Sequence, residues 1–428
     1  MSGPAAGEAL RCLTGAVAVV PRQATRVRIA APASGEPIDD GLVLWFPAPA
    51  SFTGEDVTEF HVHGGPAVVA RMLDVLAEVP DLRPAVPGEF TRRAFDNGKL
   101  DLTQVEGLAD LINAETEGQR CQALRQMEGA LGRLYEEWRE RLIGVLAHIE
   151  AAIDFPDETL PAGINAAAIH SIWCLHRDIL LHLDDNRRGE RLRDGLYIAI
   201  LGPPNVGKSS LLNLLARRDA AIVSATAGTT RDVIEVHLDI AGYPVIVADT
   251  AGLRDNADAI EGEGVRRALA RAATADLRLV VFDAVCWPRL DDTTLRLVDA
   301  DCIAVVNKID LRPLNRGATI AGRPALAVSV REGTGMATLF TALEGAVSQR
   351  LSSATAAPAL TRARHREALA SCVVALSRAL DAARTPDPPA ELIAEDARLA
   401  ARALGRITGR VDVEDVLDVV FEDFCIGK

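Results

Sequence analysis

No stretch of this 428-residue chain approaches the run of about eighteen apolar residues that a membrane-spanning helix needs, so no such helix is expected. No basic segment leads into an apolar run after Met1-Ser2-Gly3-Pro4, so no secretory signal is expected and the expected location is the cytoplasm. The seven cysteines, Cys12, Cys121, Cys174, Cys286, Cys302, Cys372 and Cys425, are odd in number and lack CxxC pairing. That argues against a disulfide framework and a zinc site, and most are expected as small buried hydrophobes. A basic surplus is missing as well. The net charge of −14 disfavours a broad face that grips nucleic acid, so an RNA substrate would need a partner to help hold it. Lysine is scarce too. Of 46 basic residues only Lys99, Lys208, Lys308 and Lys428 are lysines, and where so biased a chain keeps one, a compact ammonium is a candidate requirement.

What is present reads as a folded chain of about two to three domains, with 49% hydrophobic and 25% charged residues. Residues 1–98 mix strand-like runs (Val17–Val20, Leu42–Phe46, Thr58–His63) with a helical pattern from Ala67 to Leu76, predicting a small α/β domain. Residues 99–194 turn helical: Leu102, Val105, Leu108, Ala109 and Ile112 recur at helical spacing, and further helices are expected to Ala152 and from Ala166 to Leu183. Residues 195–350 alternate strands, near Leu196–Leu201, Val233–Ile240, Pro244–Ala248, Leu277–Phe282, Cys302–Val306 and Leu326–Val330, with helical stretches, which predicts a doubly wound α/β domain. Helical periodicity returns over 351–428, and a final helix with Val413, Val416, Leu417, Val420, Phe421 and Phe424 on one face is expected to dock. The economical architecture is a discontinuous helical domain with a nucleotide-binding domain inserted in it.

Gly202-Pro203-Pro204-Asn205-Val206-Gly207-Lys208-Ser209 follows a strand and precedes the helical run from Ser210, the context that a P-loop requires. Its backbone N–H groups and the helix N-terminus suit phosphates, Lys208 suits the β- and γ-phosphates, and the Ser209 hydroxyl suits Mg²⁺. The base is expected at Asn307-Lys308-Ile309-Asp310. A carboxylate at Asp310 accepts from both N1–H and the 2-amino group of guanine, donors that adenine lacks there, so GTP is selected over ATP. Ser329-Val330-Arg331, at the next strand end, is expected to cover the guanine O6.

Two γ-phosphate sensors are expected between these sites. Asp249-Thr250-Ala251-Gly252 places Asp249 to hold Mg²⁺ through water and the Gly252 N–H at the γ-phosphate, and Gly228-Thr229-Thr230 offers Thr230 as a second hydroxyl for Mg²⁺. Leu253 stands where a Ras-type GTPase has its water-orienting glutamine. Glu261 and Glu263 follow in a glycine-bearing segment, either as solvated helix-start carboxylates or as the missing water-orienting group. His61 and His63 share a strand face without a third ligand nearby, which favours packing over a metal.

Further stretches carry a resemblance: Ser51-Phe52-Thr53-Gly54-Glu55-Asp56, His63-Gly64-Gly65-Pro66, Pro87-Gly88-Glu89-Phe90, Gly98-Lys99-Leu100-Asp101-Leu102, Ala152-Ile153-Asp154-Phe155-Pro156 and the terminal Phe424-Cys425-Ile426-Gly427-Lys428. With the internal GTPase signature, nearly the whole chain resembles the MnmE (TrmE) family of tRNA modification GTPases. The resemblance implies an N-terminal domain that binds a tetrahydrofolate derivative (5,10-methylene or 5-formyl form) and dimerises. It implies a homodimer that joins an FAD-dependent MnmG-type partner in a heterotetramer holding tRNA, and a carboxymethylaminomethyl or aminomethyl group installed at C5 of the wobble uridine. It implies a GTPase activated by K⁺, which stands where an arginine finger would when G domains meet.

By the same resemblance Asn205 and Thr229 supply side-chain oxygens to K⁺, and the loop Ser224-Ala225-Thr226-Ala227-Gly228, with Ser224 and Thr226 in the K⁺ site, supplies backbone carbonyls and also touches nucleotide. Val206, Gly207 and Ser210 contact GTP with the rest of the P-loop, Glu261 rather than Glu263 falls at the water-orienting position, and Glu59, Lys99 and Lys428 line the folate pocket. The lysine tally meets the resemblance here, since folate carboxylates are an anionic ligand common to Lys99 and Lys428. Cys425 is either reactive in the modification chemistry or a buried thiol. Family members usually begin earlier, with a strand, a glycine-rich loop and a folate-contacting arginine ahead of the position of Met1; either the start was assigned too late or folate binding and dimerisation are compromised. The other readings are a regulatory or ribosome-assembly GTPase that binds RNA without transfer chemistry, and a stand-alone folate-binding protein.

Overall fold

The computed structural model describes residues 1–15, 17–154, 164–217, 235–249, 275–315, 317–352, 358–385, 388–411, 417 and 420–421. It divides into two units, one of Met1–Ala109, Gln126–Gly144 and Arg398–Lys428, the other of Asp110–Arg125 and Val145–Ala397.

The first unit holds an antiparallel meander of β1 (Thr25–Ala30), β2 (Pro37–Phe46) and β3 (Val57–His61). In β1 Val27 and Ile29 turn inward while Arg26 and Arg28 face out, the period of two that a half-buried strand needs. The helices Ala6–Thr14 and Pro66–Ala77 contribute Ala9, Leu10, Leu13, Met72 and Val75 to the same core. Met1 pairs with β3 through Met1 N to Thr58 O (2.8 Å) and Thr58 N to Met1 O (3.0 Å). The strand expected at Val17–Val20 does not form: that segment has no ladder partner, and Val17 and Val20 stay 45% and 50% exposed. At the start of the helix Glu89–Asp96, Glu89 receives Arg83 and Arg93, each at 2.7 Å. Hydrogen bonding from Arg83 leads the causes that hold its carboxyl down at about 2.

The second unit is built on a seven-stranded sheet. Its strands are β4 (Leu196–Leu201), β5 (Glu235–Ile240), β6 (Tyr243–Asp249), β7 (Leu277–Asp283), β8 (Cys302–Asn307), β9 (Thr319–Ile320) and β10 (Arg323–Ala327), in the order β5-β6-β4-β7-β8-β10-β9. The five central strands are parallel, and β5 and β9 run antiparallel at the edges. Strand β4 is apolar along its length because helices cover both faces of a parallel sheet, and Leu196, Ile198, Ala199, Ile200 and Leu201 are fully buried. The strand expected at Leu326–Val330 lies at Arg323–Ala327. Beyond Ala327 the Ser329 N–H bonds Thr334 O at 2.9 Å, and that turn ends the ladder.

Segments on either side of this sheet return to one another, so the helical domain is interrupted by an inserted α/β domain. The helices Ile164–Leu183 and Ala363–Ala382 pack together, with a 2.9 Å hydrogen bond between His176 Nε2 and Ser377 Oγ. Arg366 binds Asp185 (2.7 Å) and Glu190 (2.9 Å), and Arg362 and Arg193 converge on Asp110 at 2.7 and 3.1 Å. Of the final helix, Leu417, Val420 and Phe421 are described; Leu417 and Phe421 are buried and Val420 is half-buried.

The expected burial of the cysteines is corrected. Among the described ones only Cys372 is buried, with its thiol pushed up to about 12 by desolvation, while Cys12 and Cys286 are exposed and the others half-buried. Near Arg366, burial pushes the His182 imidazole down to about 4. The unfolded chain takes up that proton near pH 6.5 and the folded chain only near pH 4, so stability falls as pH drops through this window, by on the order of 3 kcal/mol. Urea unfolding across the window checks it: His182→Gln is expected to flatten the slope relative to the native chain, and an unchanged slope would refute the assignment.

Candidate nucleotide-binding site

Strand β4 delivers the chain into the glycine loop, and the helix Lys208–Ala216 leaves it. Gly202 passes so close to Val281 O that no Cβ fits, and at φ 99° Gly207 occupies the left-handed region with its open side filled by Asn307 Nδ2. Asn205 also takes positive φ, 61°, and its side chain is exposed, whereas Val206 is buried and pins the loop. Lys208 is only 6% exposed, and its ammonium donates to Gly202 O and Pro203 O, both at 2.9 Å. The cation thus sits inside the loop, at the start of the helix where Ser209 and Ser210 follow, the end of a helix that suits anions.

The second half of the site hangs from the end of β8. Asn307, 4% exposed, donates from Nδ2 to Val206 O (2.8 Å) and accepts at Oδ1 from the Val330 N–H (3.1 Å), so one buried amide joins the glycine loop to the loop after β10. Lys308 follows at φ 67°, and its ammonium meets Asp283 Oδ2 at 2.6 Å. Asp310 Oδ1 accepts from the buried Ser329 hydroxyl at 2.7 Å, and Oδ2 has no hydrogen-bond partner among the described residues. Asn205, Gly207, Ser210, Asn213, Arg217, Asn307, Lys308, Asp310, Val330 and Arg331 line one cavity of about 760 Å³. Asp249 ends β6 in register with Ile200, which brings its backbone to the mouth of the glycine loop.

Ser224, Ala225, Thr226, Ala227, Gly228, Thr229, Thr230, Thr250, Ala251, Gly252, Glu261, Glu263, Cys425 and Lys428 lie outside the described residues. Of the folate candidates, Glu59 on β3 bonds His61 Nε2 at 3.2 Å and Lys99 donates to Pro49 O at 3.1 Å; no hydrogen bond or ion pair joins the two. The packing role expected for His61 and His63 is corrected: both are exposed, and His63 Nδ1 bonds Asp39 at 2.9 Å. Among the described residues no group of three or more potential metal ligands occurs, and no helix is long and apolar enough to cross a membrane. Asp283, Asn213 and Arg217 belong to the site but escaped the sequence reading. For Asp283 the available signal was its position at the end of a buried strand, level with Asn307.

This fold and site define a P-loop nucleotide-binding protein of the kind that reads its base with an Asn-Lys-x-Asp loop. Residues 102–425 match the model of the MnmE helical domain, and residues 1–99 match that of the GTP-binding protein TrmE N-terminus. The chain belongs to the MnmE (TrmE) family of tRNA modification GTPases. Similar proteins include the tRNA modification GTPase MnmE of Parvibaculum lavamentivorans, 59% identical over all of this chain and 95% of that one. That of Paramagnetospirillum magneticum is 57% identical with the same coverage. The mitochondrial 5-taurinomethyluridine-[tRNA] synthase subunit GTPB3 of Danio rerio is 48% identical over all of this chain and 89% of its own. Among solved structures, the FeoB G-domain from Methanococcus jannaschii is 24% identical over 36% of this chain and 98% of that one, with a TM-score of 0.28.

Proposed function

We propose that this chain binds and hydrolyses GTP and takes part in modifying C5 of the wobble uridine in tRNA, with a flavoprotein partner and a tetrahydrofolate one-carbon donor. The observation that carries the GTP reading is one cavity lined by Gly207 and Ser210 of the phosphate loop and by Asp310 of the base loop, its two halves tied by the buried Asn307. An ammonium already turned into the loop exchanges two carbonyls for phosphate oxygens with little rearrangement, which keeps the cost of reorganisation low. Asp310, with one oxygen held by Ser329 and the other open, is suited to the paired donors of guanine. The tRNA reading rests on the names of relatives at 57% and 59% identity. Its test is the tRNA of a strain lacking the gene: the C5 modification is expected to disappear from susceptible wobble uridines, and intact modification would sink the proposal.

Ser209, Thr230 and, through water, Asp249 would hold Mg²⁺; hydroxyl and carboxylate oxygens are the hard donors it prefers, and when bound it neutralises charge on the β- and γ-phosphates. The exposed Asn205 amide suits K⁺, with the 224–230 loop completing the set, and when bound that ion supplies positive charge to the transition state. Lys99, an exposed ammonium engaged by one carbonyl, keeps donors for a folate carboxylate, and Glu59 and Lys428 would complete that pocket. A homodimer joined to the partner would hold tRNA jointly, in keeping with the acidic chain.

Glu261 is proposed to orient the attacking water, since Leu253 has no amide to do so. Glu261→Ala is expected to cut GTP turnover about a hundredfold while leaving nucleotide affinity near native, read by phosphate release beside a binding titration. Parallel loss of affinity would count against the role.

A further inference from the structure

We infer that Asp283, at the end of β7, is a positioning residue that holds the Lys308 side chain in place as a wall of the base pocket; the inference rests on the GTP reading of that pocket. Parallel pairing sets Asp283 level with Asn307, so the next residue along β8 emerges beside the β7 terminus. Lys308 then adopts φ 67°, a left-handed conformation that non-glycine residues rarely take, just past the end of the strand. The ammonium ends 2.6 Å from Asp283 Oδ2, its one hydrogen-bond partner among the described residues.

Asp283 is itself fixed. Its Oδ1 accepts from the Val285 N–H at 2.9 Å, capping the short turn Ala284–Cys286, and its side chain is 18% exposed against 31% for Lys308. A lysine stem has four rotatable bonds, and ordering it at the moment of binding costs affinity. An anion that orders it beforehand removes that cost. Lys308 shares the cavity wall with Asp310, yet the two carboxylates divide the work. Asp310 lines the cavity and faces the donors that distinguish guanine, while Asp283 is bonded to Lys308 and the Val285 N–H and is not among the lining residues, so its contribution is indifferent to the 2-amino group.

Asp283→Asn is the sharp test, because the amide keeps its oxygen on the Val285 N–H and presents its NH₂ to the ammonium, donor against donor. Titration with a fluorescent GDP analogue is expected to give about tenfold weaker binding than the native chain, with the same factor for the inosine analogue that lacks the 2-amino group. In a Lys308→Met background Asp283→Asn is expected to add no further loss, since the lysine it serves is gone. Native-like affinity in Asp283→Asn, unequal factors for the two bases, or losses that multiply in the double variant would overturn the inference. Failure of the native chain to bind GDP would instead overturn the GTP reading of the pocket.

Discussion

Lys208→Ala is expected to abolish GTP hydrolysis and to weaken guanine-nucleotide binding by about a hundredfold to a thousandfold. Lys208 is nearly sealed from solvent, and its ammonium is at 2.9 Å from two loop carbonyls. Truncation removes the ammonium enclosed by the loop, and it strips Gly202 O and Pro203 O of that donor. Lys208→Arg is expected to fare little better, because a planar five-donor fork does not fit where a compact ammonium is enclosed. Calorimetric titration with GDP and a phosphate-release assay read both effects, with circular dichroism to verify the fold. Near-native turnover in Lys208→Ala would remove the phosphate site from this loop.

Asp310→Asn is expected to reverse base preference from guanine to xanthine. The native carboxylate offers two acceptors, and Ser329 Oγ holds Oδ1 at 2.7 Å. In the variant the amide oxygen keeps that serine, so the NH₂ group takes the open Oδ2 position. A donor there opposes the guanine 2-amino group and matches the C2 carbonyl of xanthine. Leaving the buried polar groups mismatched costs guanine about a hundredfold or more in affinity, and the xanthine nucleotide gains what guanine loses. Competition between GDP and xanthosine diphosphate against a fluorescent nucleotide measures the ratio. A variant that loses GDP without gaining the xanthine nucleotide would show that Asp310 holds the loop and does not read the base.

The parts legible in sequence are those whose signal is consecutive. Strand β4, the glycine loop and the helix from Lys208 occupy a single run of chain, and each demands distinctive residues: a fully apolar strand, glycines at Gly202 and Gly207, an amphipathic helix. The N-terminal unit was harder. Val17–Val20 is β-branched but unpaired, whereas β1 alternates Val27 and Ile29 with arginines, a weaker run with a true period of two. The described cysteines depart from the expected burial for a related reason: residue type favours the interior, and only packing allots the place.

By itself the order of residues established that a phosphate loop and an Asn-Lys-x-Asp base loop exist, and which side chains each supplies, because those chemistries lie within a few adjacent positions. Tertiary structure alone brought Asn307 onto Val206 and Val330, Ser329 onto Asp310, and Asp283 onto Lys308. Those contacts depend on β7 and β8 lying side by side and on β4 standing next to β7 and not beside the sequence-adjacent β5. Neighbour order in a parallel sheet comes from the packing of crossover helices and from burial of whole faces, which no local pattern of apolar residues encodes.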